Sequence, residues 1–174
     1  MKRIACLMIF LLCLTVSVSA SSQEKTGGGT DLDQAVKVED FKDVFQTGKF
    51  FIAGQPDMKI MQWMKSNGVT LVINVRTDQE NQEIASKGFA EEKVIKELGM
   101  TYYLLPIGSK ESYSPQSVDK LAEALKSADG KVLIHCASAG RVTYLWMAYL
   151  VRYQGKTINQ AADEVIACKL HDHF

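Results

Sequence analysis

The residues best equipped for chemistry form one short segment, His135-Cys136-Ala137-Ser138-Ala139-Gly140-Arg141. It follows the apolar run Val132-Leu133-Ile134 and leads into Val142-Thr143-Tyr144-Leu145-Trp146. A short apolar run, a loop of small residues and a long apolar pattern read as strand, tight turn and helix. A helix N-terminus carries unpaired backbone N–H groups and the positive end of the helix dipole. A loop of alanine, serine and glycine lets successive amides curl around an oxyanion without obstruction. Arg141 adds a permanently charged planar fork that matches two oxygens at once. The same positive field favours the thiolate of Cys136. A thiolate facing a bound oxyanion is equipped for covalent catalysis at phosphorus or at sulfur. The alternative is a buried structural cysteine at a strand end, the commoner fate of a lone cysteine. His135, the small-residue loop and Arg141 together favour the functional reading.

The segment resembles the phosphate-binding loop of cysteine-based protein tyrosine and dual-specificity phosphatases, whose pattern is His-Cys, five residues, Arg, then Ser or Thr. Further stretches are similar to a bacterial group of small phosphatases sometimes fused to β-lactamase-like or NAD-kinase-like domains. They are Phe51-Ile52-Ala53-Gly54-Gln55-Pro56, Met61 to Val69, Leu71-Val72-Ile73-Asn74-Val75-Arg76 and Met100 to Ile107. The similarity runs from Phe50 to the C-terminus. It implies a phosphomonoester hydrolase in which Cys136 attacks phosphorus to give a thiophosphoryl enzyme. Ala137, Ser138, Ala139, Gly140 and Arg141 would bind the phosphate of a phosphorylated protein or small molecule. No cofactor or metal is implied.

Three positions depart from that pattern. Only four residues separate Cys136 from Arg141, Ala139 stands where glycine is usual, and Val142 replaces the hydroxyl residue, with Thr143 one place later. A loop one residue shorter loses up to ~3.5 Å of contour, so the cradle must be tighter or have one amide fewer. Four-residue spacing is also that of rhodanese-like sulfurtransferases, which would carry sulfur as a Cys136 persulfide. Those proteins usually have Asp where this chain has Asn74, and the upstream half favours the phosphatases. Sulfur transfer, or a non-catalytic anion-binding domain, stays open as the alternative.

Supporting residues follow from the same comparison. His135 could orient the loop through its ring or help tune the thiolate; it could equally be a satisfied strand-end histidine. Arg76 matches the arginine of the family's Ile-Asn-Leu-Arg stretch, and Glu80 an acid shortly after it. An ion pair between them that props the loop is expected. Phosphatases of this type generally protonate the leaving oxygen with an Asp on a neighbouring loop. The corresponding segment, residues 106–114, contains no Asp, and Glu111 is its one carboxylate and the candidate acid. Loss of general acid help costs on the order of 10² to 10⁴ in rate.

These residues need a scaffold, and the flanking pattern supplies one. Strands are expected at Phe50–Ala53, Thr70–Val75, Thr101–Leu105 and Lys131–His135. Helices are expected at Asp57–Ser66, over Asn81 to Leu98 with a break near Gly88, from Ser114-Pro115 to Ser127, at Arg141–Tyr153, and from Thr157 onward. The Arg141–Tyr153 helix is apolar almost all round and reads as buried. Alternating strands and helices imply a single α/β domain, its largely parallel central sheet flanked by helices. Ligands of such sheets bind beyond the carboxyl ends of the strands, where Cys136 and Arg141 fall.

Residues 1–20 read as a secretory signal peptide: Lys2 and Arg3, an apolar core from Ile4 to Leu14, and the small-residue site Val18-Ser19-Ala20. The expectation is export, to the periplasm or outside the cell, with no stable membrane insertion after cleavage. Cys6 and Cys13 would leave with the signal. Residues 21–37, with Gly27-Gly28-Gly29, read as a flexible leader, and 38–174 as the domain. The 20 basic and 20 acidic residues balance; without Lys2 and Arg3 the basic count is 18 and the net charge −2. That balance points to no nucleic-acid partner. Cys136 and Cys168 remain, so a disulfide is conceivable in an exported protein, but Cys168 reads as a core residue. His171, Asp172 and His173 read as a frayed polar terminus, not a metal site.

Overall fold

A computed structural model describes residues 34–168. The signal segment with Cys6 and Cys13, most of the leader, and His171-Asp172-His173 lie outside the described residues. Six strands form one sheet: β1 (Val36–Lys37), β2 (Val44–Thr47), β3 (Phe50–Ala53), β4 (Val69–Asn74), β5 (Thr101–Leu104) and β6 (Lys131–His135), in the order β1-β2-β3-β6-β4-β5. β3, β6, β4 and β5 run parallel, while β1, β2 and β3 pair antiparallel. The helices are α1 (Met58–Ser66), α2 (Asp78–Ser86), α3 (Glu91–Glu97), α4 (Pro115–Lys126), α5 (Gly140–Tyr153) and α6 (Ile158–Val165). The domain is α/β with a mostly parallel sheet, as its sequence implies.

β6 has parallel neighbours on both sides and helices on both faces, which is why its side chains read as one apolar run. Val132, Leu133 and Ile134 are wholly buried. Val132 and Ile134 pack with Leu145 and Trp146 of α5 and Leu121 of α4. Leu133 belongs to the opposite core, with Met61 and Met64 of α1 and Ile95 of α3. Side chains alternate between faces along a strand. Cys136 therefore falls on the α5 side, and His135 on the α3 side, where it meets Glu91.

Helix starts are set locally. The Asp57 carboxylate accepts from Ile60 N at 2.8 Å and caps α1. Thr77 with Glu80 and Thr157 with Gln160 form capping boxes for α2 and α6, and Ser114 with Pro115 opens α4. Caps of this kind are worth about 1 kcal/mol each.

Four features differ from the sequence expectation. Ala35, Val36 and Lys37 are part of the folded unit and not of a loose leader: Ala35 N donates to Glu164 O at 2.7 Å, and Val36–Lys37 pairs with β2. The β1–β2 hairpin edge was not foreseen. α5 is buried on one face only; Ala148 and Val151 are exposed. Cys168 lies past the end of α6, on a 3-10 turn Ile166–Cys168, yet is fully buried. Among the described residues no helix is long and apolar enough to cross a membrane.

Candidate active site

The chain leaves β6 at His135 and reverses into α5 within four residues. Cys136 N donates to Ala53 O at 3.2 Å, and Gln55 N donates to Ala137 O at 3.0 Å. A β-bridge between Gly54 and Ser138 completes the attachment of the loop to the end of β3. A Cβ at Gly54 would lie 3.2 Å from Ala137 O and 3.3 Å from Asp43 Cβ, so a side chain there would push the loop and β3 apart by a few tenths of an ångström.

The short loop is closed at Ala139, which has φ 71° in the left-handed region. For a non-glycine residue that conformation costs roughly 1–2 kcal/mol. Its carbonyl is held from the helix side, by Thr143 N at 3.0 Å and Thr143 Oγ1 at 3.1 Å. Thr143 Oγ1 also lies 3.2 Å from Cys168 O. The hydroxyl that stands one place late in the sequence thus supports the loop from beneath. Cys136 is 1% exposed, and both it and Cys168 are free thiols, not a disulfide. Burial pushes the Cys168 thiol up to about 12.

Arg141, in the first turn of α5, is clamped by Glu80. Its Nη1 donates to Glu80 Oε2 at 2.8 Å and to Ile107 O at 3.0 Å, and its Nη2 to Glu80 Oε1 at 2.6 Å. These bonds use three of the five guanidinium N–H groups, leaving two for an oxyanion. Hydrogen bonding from Arg141 brings the Glu80 carboxyl down to about 2; partial burial opposes this, and Thr77 N–H adds to it. The expected Arg76–Glu80 pair is present, but Arg141 is the closer, two-pronged partner of Glu80. Arg76 Nη2 lies 3.8 Å from Glu80, while its Nη1 donates to Gln55 Oε1 at 2.8 Å.

His135 does not reach the thiol, because its ring leaves the strand on the other face. Its Nε2 lies 2.7 Å from Glu91 Oε1, and its Nδ1 is 3.4 Å from Cys136 O. Gln55 Nε2 donates to Glu91 Oε2 at 2.6 Å and Asn74 Nδ2 to Oε1 at 3.0 Å. Burial would raise the Glu91 carboxyl, but His135, Gln55 and Asn74 outweigh it and hold it below the usual carboxylate range. Gln55 and Arg76 carry this polar chain to Glu80 and Arg141.

A cleft of about 940 Å³ opens above the loop, lined by Lys110, Tyr113, Ala137, Ser138, Gly140, Arg141, Tyr144 and Ala148. Glu111 is not among them. Its carboxyl is fully exposed and drawn below its ordinary value by Ser109, whereas a general acid needs the opposite shift. Lys110, Tyr113, Tyr144, Gln55, Asn74 and Glu91 were not singled out from sequence as site residues. Tyr113, two residues after Glu111 on the same segment, lines the cleft in its place. Among the described residues no cluster of three or more His, Cys, Asp or Glu is placed to hold a metal.

A cysteine at the tip of a central parallel strand, a tight loop and an arginine in the next helix make a candidate site of the cysteine-phosphatase kind. Residues 40–150 match the model of the beta-lactamase hydrolase-like protein, phosphatase-like domain, and the chain belongs to that family. No curated protein matches at a significant level. The fold is shared with a DUF442 protein from Shewanella putrefaciens CN-32 (20% identity, 71% of this chain and 80% of that one, TM-score 0.55). It is shared with TpbA of P. aeruginosa (15% identity, 75% and 76%, TM-score 0.58) and with the kinase associated phosphatase KAP (18% identity, 70% and 75%, TM-score 0.56).

Proposed function

We propose that the protein is a cysteine-dependent phosphatase of the phosphotyrosine or dual-specificity type. The observation that carries this reading is the Cys136 loop opening beside Arg141 onto a cleft large enough for a substrate side chain. Family membership supports it, and TpbA, which shares the fold, has been crystallised with pTyr. Cys136 Sγ attacks phosphorus, the P–O bond breaks, and the leaving group departs. Amides of residues 137–141 and the two remaining N–H groups of Arg141 hold the equatorial oxygens. Water then attacks the thiophosphoryl group, releasing phosphate and restoring the thiolate. His135, with Glu91, positions the Cys136 carbonyl and so the root of the loop; Glu80, with Arg76 through Gln55, positions Arg141. The signal-like pattern of residues 1–20 supports export of this activity from the cytoplasm.

The test is hydrolysis of an aryl phosphate by the purified protein, inhibited by vanadate. A folded protein inert at every pH between about 5 and 8 removes the reading. The four-residue spacing favours sulfur transfer as the second reading. Thiocyanate formation from thiosulfate and cyanide, with a persulfide on Cys136 by mass and no phosphate release, would establish it instead.

A further inference from the structure

The site lacks an aspartate, and Glu111 stands outside the cleft, so a different group must protonate the leaving oxygen if unactivated esters are to be cleaved. We propose that the Tyr113 phenol is that proton donor, an inference that rests on the phosphatase reading above. Tyr113 is on the cleft wall with Arg141 and the loop residues Ala137, Ser138 and Gly140. Cys136 is buried at the root of this loop, so in-line attack from it sends the leaving oxygen outward, toward the walls.

Tyr113 is also held in place. Its N–H donates to Lys110 O at 3.2 Å, closing the 3-10 turn Lys110–Ser112. On either side Ser117 Oγ donates to Ser112 O at 2.7 Å, and Ser114 caps α4. The same segment reaches the arginine through Ile107 O. Tyr113 keeps 38% of its surface exposed, enough to meet a substrate. Partial burial raises its phenol first, and the charge of Cys136 raises it further, so it stays protonated through the neutral range. Lys110, the other donor on this turn, also lines the cleft, but of the two only Tyr113 has a side chain drawn partly into its wall.

The step balances. The S–P bond forms as the P–O bond breaks, its electron pair stays on the leaving oxygen, and the phenol proton goes to that oxygen. The phenolate then takes a proton from the water that attacks the thiophosphoryl group. Thiolate and phenol are both restored.

A phenol donor matters most where the leaving group is a poor one. kcat/KM is measured for wild type and Tyr113→Phe on p-nitrophenyl phosphate, which departs as a stable anion, and on a phosphoserine peptide. The expected result is cleavage of both by wild type, with Tyr113→Phe losing about 10²–10³ on the peptide and less than about threefold on the nitrophenyl ester. Wild-type peptide cleavage should persist to about pH 9, beyond the reach of a carboxyl donor. Equal losses on the two substrates would make Tyr113 a structural or binding residue and overturn the proposal. So would no loss on either, a peptide-selective loss in Tyr144→Phe instead, or a wild type that cleaves only the nitrophenyl ester. A wild type inert on both overturns the phosphatase reading, and this inference with it.

Discussion

Cys136 and Cys168 are equally buried, at 1% and 0% exposed, and belong to the same core. Depth alone would make them interchangeable. Around Cys168 burial is the one influence, and it locks the thiol in its protonated form. Cys136 instead sits where a strand ends and a helix begins, five residues before a clamped arginine. Thr143 stands between them, bonded to Ala139 O on one side and Cys168 O on the other. One cysteine is thus part of the support on which the other's loop rests. The contrast teaches that depth alone does not distinguish two thiols; what differs is that one meets a loop and a helix start and the other only apolar core.

That contrast can be broken most sharply at the nucleophile. Cys136→Ser should lower phosphate release by on the order of 10⁵ or more in steady-state assays. Arg141→Ala should cost about 10³ in kcat/KM and abolish vanadate inhibition, since the fork acts on transition-state charge. Next comes alkylation, read by peptide mapping. Iodoacetamide at mildly acidic pH should label Cys136 well before Cys168, with phosphate protecting the former; equal labelling would dissolve the distinction.

Glu80→Gln tests the clamp and should cost about tenfold in turnover. Its pH signature has a definite sign. The Glu80 carboxyl falls from an ordinary 4.5 to about 2 on folding, so the unfolded chain binds the extra proton in that window. The clamp's stabilisation is then complete above about pH 5 and is lost as pH falls toward 2. The stability gap between wild type and Glu80→Gln, followed by chemical denaturation, should be flat near neutrality and close in acid. The smallest effect is expected for Cys168→Ala: turnover within about threefold, and a stability loss of about 1 kcal/mol from the vacated volume.

The reactive loop and its scaffold were legible because they are local. The apolar run of β6, the cap signals at Asp57, Ser114 and Thr157, and the Cys136–Arg141 spacing all lie within a few residues. The β1–β2 edge escaped because its strands are two and four residues long and of mixed polarity. Gly48, with φ 53° between β2 and the Phe50–Ala53 run, marked the β2–β3 turn but gave no sign of β1. The polar chain could not be read at all. Glu91 meets His135 across 44 positions and Arg141 meets Glu80 across 61, distances that only the sheet order closes. Arg76 and Glu80, expected as partners from the family resemblance, do lie 3.8 Å apart. Space offered Glu80 a better cation.

Glu80 also has a second task, as the carboxylate of the capping box that starts α2. None of the residues of α2 is fully buried, so the helix is tied to the domain mainly by the Glu80–Arg141 pair and by Asn74 Nδ2, which donates to Asn81 Oδ1 at 2.9 Å. Segments so lightly anchored open by local unfolding at far less cost than the core, and their amides exchange with solvent accordingly. Each such opening of α2 withdraws the clamp and lets the guanidinium swing, while the central sheet stays intact. The lifetime of the poised arginine is therefore the lifetime of the first turn of a marginal helix.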